Sequence, residues 1–151
     1  MKYELTDETN GSGLRRIRAL RDIPRYGVEE GDLGGWVESD GNLTQEGDCW
    51  VFDDAQVFGN TQVFGNAMVF GNARVCDDAQ VSDTALIYGN AQVFDDAWVF
   101  DAVVSDDARV CGNARVFGNA VVFDNARVCG NARVGGNAMV FDATVCGGVA
   151  S

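Results

Sequence analysis

The sequence predicts an all-β fold, a triangular parallel β-solenoid in which three six-residue units make one 18-residue coil. From residue 51 onward an aliphatic anchor, Val with Ile87 as the one exception, recurs every six residues. An Ala stands four residues after most anchors, with Thr61 in its place in one unit, so Ala and the next Val alternate as inward residues of a strand do. Gly-Asn or Asp-Asp precedes that Ala, and these residues tolerate the left-handed backbone of a sharp bend.

Two units are one residue short, those that begin at Val99 and Val140. Both deletions fall in the bend between strands. We therefore expect the inward Val and Ala residues of later units to keep their register.

The outward positions identify one side of the predicted triangle as apolar. Residues 18 apart should stack on one side, and six of the seven apolar residues directly before an anchor fall on the same side. The positions directly after those anchors are mostly aromatic, with Ser105 as the exception. The predicted interface comprises Trp50, Phe52, Met68, Phe70, Leu86, Tyr88, Val103, Val121, Phe123, Met139 and Phe141.

An apolar face of several coils is larger than monomers usually leave exposed, so we expect it to be covered. A second copy across a two-fold axis is the favoured occupant, since isologous dimers are the commonest assembly. The alternatives are the N-terminal region folded back on the face and a foreign partner, such as a host protein.

The chain divides into an N-terminal cap, residues 1–36, which is not an independent domain, and a solenoid, residues 37–151. In the cap, Asn10-Gly11-Ser12-Gly13 is typical of a β-hairpin turn. Val37 and Leu43 already keep the six-residue spacing, and two extra residues precede Val51. Because a solenoid exposes open strand edges, a cap is expected at this end.

All twelve Asp residues of the repeat lie at the predicted corners, where we interpret them as turn formers. Two other interpretations stay open. Adjacent carboxylates on neighbouring coils are weak candidates for a calcium site, namely Asp77, Asp78, Asp95 and Asp96. Alternatively, the net charge of -12 suggests an acidic rod that imitates the phosphates of DNA.

The five cysteines form no CxxC pair, which favours reduced thiols over a disulfide framework. Four of them, Cys76, Cys111, Cys129 and Cys146, fall in one outward row on the second side, and the last three occupy successive rungs within disulfide range. We interpret them as small fillers beside Phe rings, with a redox or soft-metal role left open. A neighbouring row of Arg74, Arg109 and Arg127 is expected to be solvated or paired with corner Asp.

The phrases RIRALRDI, GDLGGWVES and NLTQEGDCWV, followed by GNA repeats, resemble phage and prophage proteins of the YdcK type, and the repeat resembles the hexapeptide-repeat family. The resemblance implies a left-handed parallel β-helix and a mobile-element origin. The family's acyltransferases use a His as general base and its carbonic anhydrases bind zinc through three His. This chain has no His, so we expect no enzyme activity and no cofactor.

We therefore predict a non-catalytic, self-associating scaffold or protein-binding solenoid in the bacterial cytoplasm. The main alternative is an acidic inhibitor of a host nucleic-acid-binding or defence enzyme, and a weaker one is a degenerate hexapeptide acyltransferase. Neither a signal peptide nor a membrane span is evident in the sequence, and the acidic charge disfavours direct binding of nucleic acid.

Overall fold

The computed structural model describes residues 1–151 as an all-β protein with three parallel sheets. Its only helical segments are two short 3-10 turns, Pro24–Tyr26 and Asp40–Asn42. No helix is long and apolar enough to cross a membrane. The predicted solenoid with 18-residue coils is confirmed.

The first sheet, which we call the apolar sheet, contains one strand from each coil. Its six strands are β4 (Trp50–Val51), β7 (Met68–Val69), β10 (Leu86–Ile87), β13 (Val103–Val104), β16 (Val121–Phe123) and β19 (Met139–Phe141). These are the strands that carry the predicted apolar face.

The second sheet, which we call the cysteine sheet, has nine strands because the cap continues it. They are β1 (Tyr3–Thr9), β2 (Arg15–Ala19), β3 (Leu33–Val37), β5 (Gln56–Val57), β8 (Arg74–Val75), β11 (Gln92–Val93), β14 (Arg109–Val110), β17 (Arg127–Cys129) and β20 (Thr144–Cys146). The third sheet is made of β6 (Gln62–Val63), β9 (Gln80–Ser82), β12 (Trp98–Phe100), β15 (Arg115–Val116), β18 (Arg133–Val134) and β21 (Val149–Ala150).

Strand pairing keeps the inward residues in register along the whole solenoid. Val51 pairs with Val69 one coil later, 18 residues on. Across the first short unit the spacing drops to 17, yet Ile87 still pairs with Val104. The prediction that the deletions preserve register is confirmed, because each removes a corner residue and leaves the strands intact.

The interior of the solenoid is a dry stack of Val and Ala. Anchors and alanines from Val51 to Val134 are almost fully buried, whereas Val145 and Ala150 in the last coil are half-buried. Strand β21 was not predicted from the sequence, because Ala150 stands in place of an aliphatic anchor.

Each corner turns on one residue with positive φ, and that residue is Gly or Asp. The eight non-glycine residues with positive φ are all Asp, with φ from 47° to 62°. They are Asp53, Asp77, Asp83, Asp95, Asp101, Asp106, Asp124 and Asp142. Among residues with a side chain, Asp and Asn adopt positive φ most readily, because their short polar side chains bond to nearby backbone groups. The interpretation of the repeat aspartates as turn formers is therefore supported at two thirds of them, and the other four follow directly in the bend.

Coil stacking restricts the corner further. A Cβ placed on Gly118, where φ is +65°, would lie 2.9 Å from the backbone nitrogen of Gly136 in the next coil. Asp53 carries a side chain in the equivalent place, and its Oδ2 accepts a hydrogen bond from the Gly71 N–H at 3.1 Å. An Asp at this position therefore gains a hydrogen bond that offsets the crowding, whereas an Ala would be crowded without any such gain.

The cap is an antiparallel hairpin that joins the cysteine sheet. Strands β1 and β2 pair antiparallel, and β3 pairs antiparallel with β2 and parallel with β5. Asn10 closes the predicted turn, since its carbonyl accepts from the Gly13 N–H and its side chain accepts from the Leu14 N–H. The predicted division between residues 36 and 37 falls inside β3, which belongs to cap and solenoid at once.

The extra residues before Val51 form a loop around a buried ammonium group. Lys2 is 1% exposed, and its Nζ donates to the carbonyl oxygen of Cys49 at 2.7 Å and lies 3.2 Å from the Cys49 Sγ. Weaker bonds reach the carbonyls of Glu46 and Gly47. Burial lowers the pKa of Lys2, and the Cys49 side chain partly offsets that effect.

We expect Gly118→Ala to lower the free energy of unfolding by about 1 to 2 kcal/mol, because it combines a strained φ with crowding against the next coil. Gly118→Asp should lower the free energy of unfolding by about 1 kcal/mol less than Gly118→Ala does, because its carboxylate can accept a hydrogen bond from the Gly136 N–H. Denaturant unfolding of the purified variants measures both values.

Gly13→Ala is the matched control for strain alone, since Gly13 also has positive φ but nothing lies within 4 Å of its added Cβ. If Gly118→Ala proved no worse than Gly13→Ala, or Gly118→Asp no better than Gly118→Ala, the stacking explanation of the corners would be wrong.

Candidate interaction surfaces

The outward side chains of the apolar sheet form two parallel rows without any charge. The row before the anchors runs through Met68, Leu86, Val103, Val121 and Met139, whose strands pair in register. Most of these side chains are half-buried by their neighbours, whereas Met139 and Phe141 at the far end are 61% and 52% exposed. The structure thus brings the predicted interface residues together on one side.

The second row of the apolar sheet is a column of aromatic rings. Phe70 and Tyr88 stack with centroids 4.8 Å apart, and Phe123 and Phe141 stack at 5.1 Å. Ser105 lies between these two pairs and is only 4% exposed, so the column closes over it. The result is a continuous apolar surface.

The cap covers only the first rung of this face. Tyr3 contacts Trp50 edge-on at 6.3 Å, and Trp50 is 1% exposed. Tyr26 contacts Phe52 at 6.4 Å, and its hydroxyl donates to the Asn66 carbonyl. Trp50 was predicted in the interface, but the cap buries it. From Met68 onward the face is uncovered.

The corner aspartates use their carboxylates within the solenoid. The Oδ2 of Asp77 accepts from the Asp95 N–H at 3.2 Å, and that of Asp95 accepts from the Gly112 N–H at 3.0 Å. Asp106 binds the Asp124 N–H in the same way. Each bond joins one corner to the next coil, so these aspartates have a structural role.

The four weak metal candidates do not converge on a metal site. Asp77 and Asp95 hold backbone N–H groups, and Asp78 accepts from the side-chain amide of Asn60 at 3.0 Å. No group of three or more His, Cys, Asp or Glu side chains in the chain is arranged to hold a metal ion. Hydrogen bonds within the coils engage the carboxylates of Asp77, Asp78 and Asp95 instead.

Three aspartates stack on one edge of the solenoid without an intervening neutral residue. Desolvation, the carboxylates of Asp142 and Asp106, and a hydrogen bond with Asp106 raise the pKa of Asp124. The Asp124 carboxylate itself accepts no hydrogen bond from the protein. It is therefore a corner residue whose charge opposes folding at neutral pH.

The cysteine row brings one pair of sulfurs together. Cys129 and Cys146, partners in the pairing of β17 with β20, face each other with their Cα atoms 4.4 Å apart, within disulfide range. The predicted proximity of cysteines on successive rungs is confirmed for this pair, and reduced thiols stay the prediction for the row. Cys76 and Cys111 remain free and half-buried, and Cys49 is free and buried.

The two free thiols in this row are poor nucleophiles. Burial, with contributions from Asp77 and Asp95, raises the pKa of Cys76 to about 11. Burial and Asp95 also raise the pKa of Cys111. Since the thiolate is the reactive form, the raised pKa of both thiols opposes metal binding and thiol–disulfide exchange at neutral pH.

The arginines behave differently in the two regions. In the cap, Arg18 binds Glu4, Arg25 binds Asp48 at 3.2 Å and Arg16 lies within 4 Å of Glu8. None of the salt bridges involves Arg74, Arg109 or Arg127. The row on the cysteine sheet is solvated, and its suggested pairing with corner Asp is absent.

Several residues that shape the surfaces were missed from the sequence. Tyr3, Tyr26 and Lys2 lie in the cap, outside any repeat, so no periodicity indicates their contacts. Ser82 replaces an aromatic residue on the third sheet and leaves an opening beside Trp98. An interruption in the aromatic row was the available signal for that opening.

Three segments of the chain match the family model described as the YdcK beta solenoid repeat, residues 62–77, 108–124 and 132–148. All three lie in the coils. A search of curated proteins found no significant match. The match identifies the type of repeat and brings no activity with it.

We expect Asp124→Asn to raise the melting temperature at pH 7, because it removes a charge with a raised pKa and Asn also tolerates positive φ. An ionised Asp124 costs stability above its folded pKa, and this cost disappears as the pH falls toward the ordinary Asp value. The gain should therefore vanish near pH 3, about one unit below that value.

Thermal unfolding at both pH values tests this expectation. Asp53→Asn is the control, since that carboxylate accepts a hydrogen bond from Gly71 and should give no gain. A gain for Asp124→Asn that is equal at pH 7 and pH 3 would contradict the electrostatic explanation.

We expect Cys76 to be alkylated by iodoacetamide more slowly than a free cysteine peptide at pH 8, because its pKa of about 11 leaves little thiolate. Asp77→Asn should accelerate the reaction, since it removes the first of the charges that raise this pKa. Site-resolved mass spectrometry follows the rate, with Asp83→Asn, on another corner, as control. If Cys76 of the wild type were alkylated as fast as the peptide, its thiol would not be buried and its pKa would not be raised.

Proposed function

We propose that this β-solenoid, whose coils carry three matches to the YdcK beta solenoid repeat, acts as a non-catalytic scaffold that self-associates through its apolar sheet. The interface consists of the exposed rows from Met68 to Met139 and from Phe70 to Phe141. The observation that supports this most directly is the absence of charge from both rows, although the chain carries a net charge of -12.

The other two sheets provide the contrast. Their outward positions before the anchors carry mostly Gln and Arg, for example Gln92 and Arg109 on the cysteine sheet and Gln80 and Arg115 on the third, where Trp98 is the apolar exception. This difference in polarity between the sheets has no role in forming the coil, because the outward side chains do not reach the core. It is typical of a surface that excludes water against a partner.

The geometry suits a two-fold partner. The five exposed rungs are centred on Val103, so a two-fold axis there places the Met68 end of one copy against the Met139 end of the other. Both ends present a flexible thioether, which adapts readily to an opposing surface. The cap over Trp50 limits this overlap at one end and fixes the register of the two copies.

The size of the face indicates the strength of association. Five rungs at about 4.8 Å and six residues at about 3.3 Å give a face of roughly 480 Å² per copy. Stable interfaces bury about 800 Å² per partner. We therefore expect a reversible dimer with a dissociation constant in the micromolar range.

The two alternative functions have less support. An acidic decoy for a nucleic-acid-binding enzyme has the net charge in its favour, but the corner carboxylates that supply much of that charge have hydrogen-bonding roles in the coil. A degenerate acyltransferase lacks the His general base. Our proposal accordingly places the protein in the bacterial cytoplasm as a binding surface, without cofactor or catalysis.

We expect Met68→Asp combined with Val121→Asp to convert a concentration-dependent dimer into a monomer, because four carboxylates would be buried per interface. Light scattering coupled to size exclusion, from about 5 to 300 µM, brackets the expected micromolar range. The shift in mass reports dimer dissociation directly.

The matched control is Gln56→Asp combined with Gln92→Asp on the cysteine sheet, in the same position of the unit and with the same change in charge. Circular dichroism checks that both variants are folded. A wild type that stays monomeric at 300 µM, or an equal loss of mass in the control, would refute this interface.

A further inference from the structure

The third sheet carries an aromatic column that is interrupted at Ser82 and ends before Gly135. From the capped end, the residues that follow the anchors are Phe64, Ser82, Phe100, Phe117 and Gly135. Phe100 and Phe117 stack at 5.5 Å, and the Phe117 ring covers Gly135. Ser82 pairs directly with Phe100, so it occupies the rung between two Phe rungs.

This vacancy is open to solvent. A cavity of about 300 Å³ lies there, lined by Phe64, Gln80, Ser82, Asp83, Trp98 and Phe100. Its Phe residues are two rungs apart, roughly 9.6 Å. A planar group at the Ser82 rung would lie about 4.8 Å from each, the separation at which Phe70 and Tyr88 stack.

Gaps of the same kind on the other two sheets are closed. Ser105 interrupts the column of the apolar sheet and is 4% exposed. On the cysteine sheet, Cys76 stands between Phe58 and Phe94 and fills its rung with a half-buried sulfur. Only the Ser82 gap is flanked by an exposed tryptophan, Trp98, which is 39% exposed.

The walls of this opening combine aromatic faces with one negative charge. Asp83 is exposed at the corner beside Ser82, and its carboxylate accepts no hydrogen bond from the protein. Other corner aspartates, such as Asp77 and Asp101, are occupied by groups of a neighbouring coil. Asp83 is thus free to bind a group that enters from outside.

The chain already stacks guanidinium groups on tryptophan. The Arg115 guanidinium lies 4.9 Å from the Trp98 ring centroid, and the Arg16 guanidinium lies 4.3 Å from that of Trp36. The cation–π attraction that such contacts provide is available to a second cation over Phe64 and Phe100.

We propose that this opening, the Ser82 slot, binds the guanidinium group of an arginine side chain presented by a partner protein. The guanidinium is planar, so it fits between two rings, and its N–H donors reach the Asp83 carboxylate. An ammonium group lacks the planar shape, and a neutral ring lacks the charge that Asp83 and the net charge of -12 favour. Anionic ligands are repelled by the same charges.

The slot is independent of the self-association proposed above. It lies on the third sheet, whereas that interface lies on the apolar sheet. Failure of one proposal leaves the other intact, because slot binding is measured with a short peptide and self-association by mass.

The test is a titration of the ¹⁵N-labelled full chain, followed by NMR, with the peptide acetyl-Gly-Arg-Gly-amide. Matched peptides carry citrulline, which is planar and neutral, or lysine, which is charged and not planar. We expect shifts around Ser82 and Phe100 and a dissociation constant in the millimolar range, about fivefold weaker or more for citrulline and lysine.

Ser82→Phe supplies the missing ring and should abolish the shifts, whereas Cys76→Phe, the matched change on the cysteine sheet, should leave them. Asp83→Asn keeps a residue that tolerates positive φ and should weaken binding about fivefold. Equal binding of all three peptides, or arginine binding that survives in a folded Ser82→Phe variant, would overturn the proposal.

Discussion

The left-handed backbone at the first residue of each corner is the constraint on which the rest of this structure depends. A chain that bends every six residues must place one residue there, and the next coil lies so close that little beyond a hydrogen atom fits without strain. Gly meets this demand by having no side chain. Six of the eight aspartates with positive φ meet it because their carboxylates accept a backbone N–H of a neighbouring coil, as that of Asp53 does from Gly71.

Once the corners and the Val and Ala core are fixed, the outward positions are free to vary from side to side. The apolar sheet, the arginine row and the Ser82 slot all use the same two positions of the unit. Strand pairing turns a difference of six residues in sequence into a different side of the molecule, which is why Met68 and Arg74 face different surroundings. The three sides therefore differ in their outward residues, whereas the core is the same throughout.

The repeat made the solenoid, the three sides and the apolar face predictable, because periodicity translates directly into position. Contacts between the cap and the coils were not predictable. Trp50 occupies an interface position in the repeat, but Tyr3, which buries it, lies 47 residues away in a segment without periodicity. The proximity of Cys129 and Cys146 was predictable from the rung spacing, because outward positions on paired strands lie within disulfide range. The Ser82 slot was not predictable, because the repeat does not indicate whether neighbouring side chains close the space left by a small residue.

The two shortened corners have a consequence for how such a chain can change over generations. Deleting one residue inside a β-strand turns every later inward side chain outward, and the core is lost. Here the unit that begins at Val99 lacks a corner residue, Asp101 makes the bend, and Val104 still meets Ile87. This solenoid therefore accommodates the loss of one residue at a corner without a change of register, whereas the same loss inside a strand would not be accommodated.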